Sequence, residues 1–328
     1  MEAAPTRIVH LVPSWEHVGA VRRIGMLASH FEREVYEFRV VALSARGPDP
    51  RTIVRTPLHC TALAAGRRLR MTLAWRLRRL VKDWRADVVH AWDNGALRVA
   101  SAARIGQRCI RVIETGFGEL PPAIDVEQIR REAAVGLTRE RIVAELGLPN
   151  RVRLLGVIGR LTRDKHVTEL LWALDQIRCV RDDVYLLVIG DGEARPFFER
   201  YARLYEIVDH VRFVGWRSDV AAWIAAIDVY CSASAEPSWS LAMLEAMALG
   251  VPVVAGDTPA HRRVLTHGET GFLVDIRQRS ELARWCLRML EDAELAARMT
   301  ETARRQVAER FPIGPFVEAH RRLYRGVV

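Results

Sequence analysis

"VRLLGVIGRLTRDKHVTELLWALDQI", residues 152–177, decides how the rest of the chain is read. Its first eight residues are apolar apart from Arg153 and have the length of a strand. The run stops at a glycine, and "VTELLWALDQI" then reads as a helix. A buried strand, a glycine turn and a helix make the first half of a βαβ unit. The same alternation continues downstream. "VYLLVIG" (184–190), "VRFVG" (211–215), "DVYCSAS" (228–234), "VPVVAG" (251–256) and "GFLV" (271–274) read as strands. "ARPFFERYARLYE" (194–206), "DVAAWIAAI" (219–227) and "LAMLEAMALG" (241–250) read as the helices between them. Apolar strands separated by helices predict a parallel sheet covered on both faces.

The first third carries a second such pattern. "RIVHLV" (7–12), "YEFRVVALS" (36–44), "TIVRTPLHC" (52–60), "ADVVHAW" (86–92) and "CIRVIET" (109–115) are strand-like. Helices are predicted over 19–31, about 67–85 and 95–105. "ELPPAIDVEQIRREAAVGLTRERIVAELGLPN" interrupts the alternation with two prolines and a polar helix. The chain therefore reads as α/β with two Rossmann-like domains. The first spans residues 1–119, with a linker over 120–151. The second spans 152–310, followed by a terminal segment, 311–328.

Composition bounds the class. Half of the 328 residues are hydrophobic and 27% are charged, which predicts a globular chain. No apolar run is long enough for a signal peptide core or a bilayer span, so a cytoplasmic location is expected. Cys60, Cys109, Cys179, Cys231 and Cys286 are scattered without metal-ligand spacing. Neither a disulfide framework nor a metal site is predicted, and no cofactor is called for. Lys82 and Lys165 are the only lysines among 49 basic residues. The net charge of +9 is localised: residues 1–119 hold 20 basic and 11 acidic side chains, and the remainder holds 29 of each. That asymmetry predicts a polyanionic partner for the first domain, unless it is uneven composition alone. The densest basic segment is "RRLRMTLAWRLRRLVKDWR" (67–85). Leu69, Leu73, Leu77, Leu80 and Trp84 fall on one helical face, with arginines opposite. Such a helix, with Trp75 and Trp84, suits an anionic membrane surface, here the inner face of the plasma membrane. The alternative is an apolar stripe packed on the sheet with solvated arginines. No nucleic-acid-binding motif is present, so no nucleic acid partner is expected.

Ligands of parallel α/β sheets bind at the carboxyl ends of the strands. In the second domain those ends supply Gly159, Gly190, Asp191, Gly192 and Gly215. Glycines let a ligand approach the backbone, and helix N-termini there favour anions. Arg160 and Lys165 add two charges at the same edge, a combination suited to a diphosphate. The competing reading is a pair of solvated loop cations.

Residues 152–276 resemble glycosyltransferase family 4 through "GVIGRLTRDKHVTELLWAL", "LLVIGDGEARPFFE", "LAMLEAMALGVPVVAGDTPAHRRVL" and "HGETGFLVD". The resemblance implies the GT-B fold, with a donor cleft between the two domains. It implies a retaining, metal-independent hexosyltransferase of polysaccharide biosynthesis. The donor would be a UDP- or GDP-sugar and the acceptor a lipid-linked or polysaccharide hydroxyl. Arg160 and Lys165 match the family's diphosphate-holding Arg and Lys. Glu245 matches the second glutamate of its Glu-x7-Glu motif, which bonds the ribose, and Ser240 and Leu241 join the donor-binding set. Pro237 stands where the first glutamate belongs, so Glu236 is taken as the catalytic carboxylate. Arg263 replaces a further glutamate. Gly19, with Val18, stands where the family places a glycine pair. The first domain is expected to be internally shortened between "VIETGFGE" and "LPPAID", and the last helix to return to it near Phe311, its face of Phe316, His320 and Tyr324 turned to that domain. A nucleotide-sugar-binding protein without catalysis, or a same-fold epimerase or hydrolase, are the alternatives. A dehydrogenase is disfavoured, because no GxGxxG opens either sheet.

Overall fold

The computed structural model describes residues 4–54, 56–64, 70–104, 111–114 (backbone only), 123–235 and 240–326. The chain forms two compact units, residues 1–121 with 313–328, and residues 122–312.

The first unit runs β1 (Thr6–Ser14), α1 (Val18–His30), β2 (Tyr36–Ser44), α2 (Pro50–Ile53), β3 (His59–Ala62), α3 (Arg70–Trp84), β4 (Val88–Ala91), α4 (Asn94–Ala102) and β5 (Arg111–Glu114). Its five strands are parallel in the order β3-β2-β1-β4-β5. The central strands are Val- and Ile-rich and buried on both faces, as a helix-covered parallel sheet requires. The expected strand over 52–60 is corrected to a turn of helix followed by the short β3. Asp49 accepts from the Arg51 N–H and Pro50 occupies the first helical turn, so this stretch starts a helix rather than a strand.

The second unit runs α5 (Val126–Val135), α6 (Arg139–Glu145), β6 (Arg153–Ile158), α7 (Val167–Arg178), β7 (Val184–Ile189), α8 (Arg195–Leu204), β8 (Val211–Gly215), α9 (Val220–Ala226), β9 (Val229–Ser232), α10 (Leu241–Leu249), β10 (Val253–Gly256), α11 (Pro259–Arg262), β11 (Phe272–Val274), α12 (Arg279–Glu291) and α13 (Ala293–Arg310). Six parallel strands lie in the order β11-β10-β9-β6-β7-β8. The segment read as a linker is structured from residue 123 as part of this unit. Ile129, Ile142, Val143 and Leu148 are buried in the same core as Trp223 of α9 and Met247 of α10. Their apolar faces outweigh the polar surface that made the stretch look like a connector. α10 is buried nearly all round, capped by Ser240 at one end and by Gly250 in the left-handed region at the other.

Phe311 is buried in the second unit, and the chain passes to the first immediately afterwards. There α14 (Ile313–Arg325) buries Phe316, Val317, His320 and Tyr324. Tyr324 meets Phe31 and Phe38 edge-on and bonds His90. Residues 115–122, where the shortening of the first domain was placed, lie outside the described residues.

Candidate active site

β6 sets the position of the first two cations. It ends at Ile158, and Gly159 takes φ 145°, a region closed to residues with a Cβ. Half-buried Arg160 follows. Leu161 donates its N–H to the Asp191 carbonyl at 2.9 Å and accepts from the Ala194 N–H at 2.9 Å, binding the loop after β6 to the loop after β7. This explains two glycines without a ligand. A Cβ on Gly190 would stand 2.0 Å from the Gly159 carbonyl oxygen, and one on Gly192 2.5 Å from that of Leu161. Gly159 differs: its nearest neighbour would be the Lys165 side chain at 3.8 Å. Gly215 has φ 78° and closes the third loop by accepting from the Gly190 N–H at 2.8 Å.

Lys165 ends a short 3-10 turn, Arg163–Lys165, and His166 in the left-handed region starts α7. Asp164 ties this turn to the loop after β9 by accepting from the Ala235 N–H at 3.0 Å. The ammonium of half-buried Lys165 then reaches the Ser234 hydroxyl at 3.5 Å. Neighbouring charges are committed elsewhere. Arg163 lies over the Phe197 ring at 4.1 Å. Asp191 accepts from the Gly192 N–H and pairs with Arg195 at 3.2 Å, so its carboxylate holds its own loop.

The third group sits at the start of α10. Ser240 accepts from the Met243 N–H at 3.2 Å and shares a hydrogen bond with the Tyr230 hydroxyl at 3.1 Å. Leu241 is buried beside it, and Glu245 is only 2% exposed in the second helical turn. Burial pushes the Tyr230 phenol up to about 12, with the Glu245 charge acting in the same direction.

Sequence reasoning missed His261, which is 1% exposed at the end of α11. It follows a strand end, the same signal that drew attention to Gly159 and Gly190, but it carries no charge. Its Nδ1 donates to the Gly256 carbonyl at 2.7 Å. Burial lowers its pKa below the ordinary histidine value; the Gly256 carbonyl opposes this and the Lys165 charge adds to it. The ring is therefore neutral with Nε2 as an acceptor, 3.5 Å from the Ser232 hydroxyl.

Thus Gly159, Arg160, Lys165, Gly190, Asp191, Gly192, Gly215, Ser240, Leu241 and Glu245 all belong to one sheet's carboxyl-end loops and the helices they start. Gly19 belongs to the other unit, exposed in the first turn of α1. Glu236 lies outside the described residues. Arg263 caps α11, and its carbonyl accepts from Arg310. Among the described residues no group of three or more His, Cys, Asp or Glu side chains could hold a metal ion.

This architecture and loop pattern coincide with known proteins. Residues 138–306 match the model of the glycosyl transferases group 1 family, and residues 18–133 match glycosyltransferase family 4. The chain belongs to the group 1 glycosyl transferases. This group 1 member is 30% identical to the N-acetyl-alpha-D-glucosaminyl L-malate synthase of Bacillus anthracis, over 56% of its own length and 48% of that protein. It is 29% identical to the phosphatidyl-myo-inositol mannosyltransferase of Mycobacterium leprae (strain TN), over 67% and 54% of the two chains. The chain spans about half the length of these curated relatives. Its fold is similar to that of Anabaena Alr3699/HepE solved with UDP-glucose, with a TM-score of 0.79 and 17% identity over 98% of this chain and 99% of that one. WaaG, a glycosyltransferase involved in lipopolysaccharide biosynthesis, gives 0.72 and 16% over 97% and 100%. Both likenesses establish the GT-B fold.

Proposed function

We propose that this chain moves a sugar from a UDP- or GDP-sugar to a hydroxyl of a lipid-linked or polysaccharide acceptor, with retention and without a metal ion. The observation that carries this reading is the placement of Arg160 and Lys165 in the loop after β6, with Gly159 leaving the backbone open beside the lysine. When the bond from the anomeric carbon to the phosphate oxygen breaks, negative charge grows on the departing nucleoside diphosphate. Fixed cations there stabilise the transition state more than the bound donor. Glu245 would accept from the ribose hydroxyls, and Glu236 would face the sugar. Lipid and lipopolysaccharide acceptors are named for several relatives, including the M. leprae mannosyltransferase and Rhizobium meliloti LpsE, and this supports the acceptor class.

α3 supplies the membrane side of the reading. Its buried positions are Ala74, Leu77, Val81 and Trp84, so the apolar stripe packs on the sheet. Trp84 is buried under Arg39, whose guanidinium lies 4.4 Å from the ring centroid. One tryptophan, not two, is thus presented to solvent: Trp75, exposed with Met71 one turn earlier and ringed by exposed Arg78, Arg79 and Lys82. No helix among the described residues is long and apolar enough to cross a membrane. Docking on an anionic inner leaflet would go through that ridge.

Incubation of UDP- and GDP-sugars with the protein, with and without a lipid extract and with EDTA, tests the reading. Sugar should move to extractable lipid or glycan, and EDTA should not stop it. Release of free sugar or an isomer irrespective of acceptor would contradict transfer, and an absolute need for divalent cation would contradict metal independence.

A further inference from the structure

Beside Lys165 lies a small polar niche. It has a volume of about 20 Å3 and is lined by Lys165, Tyr230, Ser232, Ser234, Ser240 and His261, with Val157 and Ile158 as its apolar wall. That space accommodates one water molecule, which needs two to four polar partners. Six polar side chains from four places in the chain converge on it: the 3-10 turn, β9 with its following loop, the α10 cap and α11.

Three of the lining groups have hydrogen-bond roles set by their chemistry. Ser240 has its Oγ engaged by the Met243 N–H and by Tyr230. Lys165 can only donate. Its ammonium reaches the Ser234 hydroxyl at 3.5 Å. His261 is anchored through Nδ1 to Gly256, leaving Nε2 able only to accept. The Ser232 hydroxyl, 3.5 Å from Nε2, stretches to reach it. A donor-only ammonium and an acceptor-only imidazole nitrogen line one space the size of a molecule that both accepts and donates.

We propose that His261 is a positioning residue for Lys165, acting through one water molecule held in this niche. The water accepts from the lysine ammonium and donates to His261 Nε2. The imidazole, locked to the end of β10, thereby fixes where the ammonium sits at the strand edge. Anion affinity at that edge then depends on a side chain that does not itself touch the anion. This rests on the reading that Lys165 holds the donor diphosphate, so the test separates the two.

The chain has only two lysines, so protein grown with lysine labelled with carbon-13 at Cε gives two signals, and Lys82→Arg assigns them. His261→Leu should shift the Lys165 signal and leave that of Lys82 in place. His261→Gln, whose amide can restore an acceptor near the Nε2 position, should return it toward the parent. Affinity for inorganic pyrophosphate should fall roughly 3- to 10-fold in His261→Leu, the scale of one net hydrogen bond, and recover in His261→Gln. An unmoved Lys165 signal in His261→Leu overturns the proposal, as does a signal moved equally in both variants. If Lys165→Ala leaves pyrophosphate affinity unchanged, the diphosphate reading fails, while the lysine signal still reports on the niche by itself.

Discussion

The Tyr324 hydroxyl lies 2.8 Å from Nδ1 of His90 in the buried face of the first sheet. The two residues are 234 positions apart, and their bond joins the last helix to β4. His10, paired with His90 across β1 and β4, and His320 on α14 complete a buried group of three imidazoles. His10 Nδ1 accepts from the Trp92 indole at 3.1 Å, and His320 Nδ1 donates to the Phe316 carbonyl at 2.8 Å. Tyr324→Phe removes one hydrogen-bond partner of a buried imidazole. It should cost about 1–3 kcal/mol in denaturant unfolding. A loss below about 0.5 kcal/mol would mean that this contact does not hold α14 in place.

The same histidines give the first unit an acid limit. Burial lowers His10 to about 3, with His320 adding to the effect, and lowers His320 to about 4, with the nearby Arg23 charge acting the same way. His90 lies well below its ordinary value for the same first cause. In the unfolded chain all three protonate near 6.5. The unfolded state therefore binds more protons below that pH. Stability should hold above about 6.5 and fall as pH drops toward 4, by up to about 1.4 kcal/mol per pH unit for each histidine. Urea midpoints measured from pH 8 to pH 4.5 check this; a flat profile would contradict the buried neutral cluster.

Glu245 is almost wholly buried beside Tyr230. On the proposed function, Glu245→Gln should weaken UDP or GDP binding by roughly 10-fold or more, the scale of a hydrogen bond to a charged group, and leave inorganic pyrophosphate affinity unchanged. Calorimetric titration distinguishes the cases. Equal weakening of both ligands would remove the ribose role.

The tryptophans of α3 should separate by assay. Trp84→Ala opens the core and should cost about 3–5 kcal/mol of stability. Trp75→Ala should leave stability within about 0.5 kcal/mol and reduce sedimentation with anionic liposomes. Arg76 donates to the Leu63 carbonyl and so has a structural use, which makes Arg78, Arg79 and Lys82 the cleaner charge substitutions. Changing those three to glutamine should weaken binding to anionic vesicles and its salt sensitivity. Equal binding to neutral vesicles would leave the arginines as composition.

Much of this architecture was legible because a buried parallel strand has little choice of composition. β6, β7 and β10 are apolar runs ended by glycine, and each was read at nearly its observed length. The turn at 50–53 was misread because the β-branched residues of "TIV" weigh toward a strand, while the deciding Asp49 cap acts from outside the run. α5 and α6 looked like a linker because half of each faces water, and the buried half is visible only against α9 and α10. At the site, Arg160 and Lys165 stood out by charge. His261 did not, because its meaning lies in a tautomer set by a carbonyl five residues away. The glycines stand out in the sequence for ligand approach, and at Gly190 and Gly192 the structure adds a second requirement, the close approach of the neighbouring loop.

The central claim is that Arg160 and Lys165 hold the nucleoside diphosphate of the donor. Calorimetric titration of the parent, Arg160→Ala and Lys165→Ala with UDP and GDP tests it most directly. One of the two nucleotides should bind the parent. Each substitution should weaken it by roughly 10- to 150-fold, corresponding to about 1.5–3 kcal/mol for a hydrogen bond to a charged group, with thermal unfolding little changed. Unchanged affinity in both variants would contradict the account.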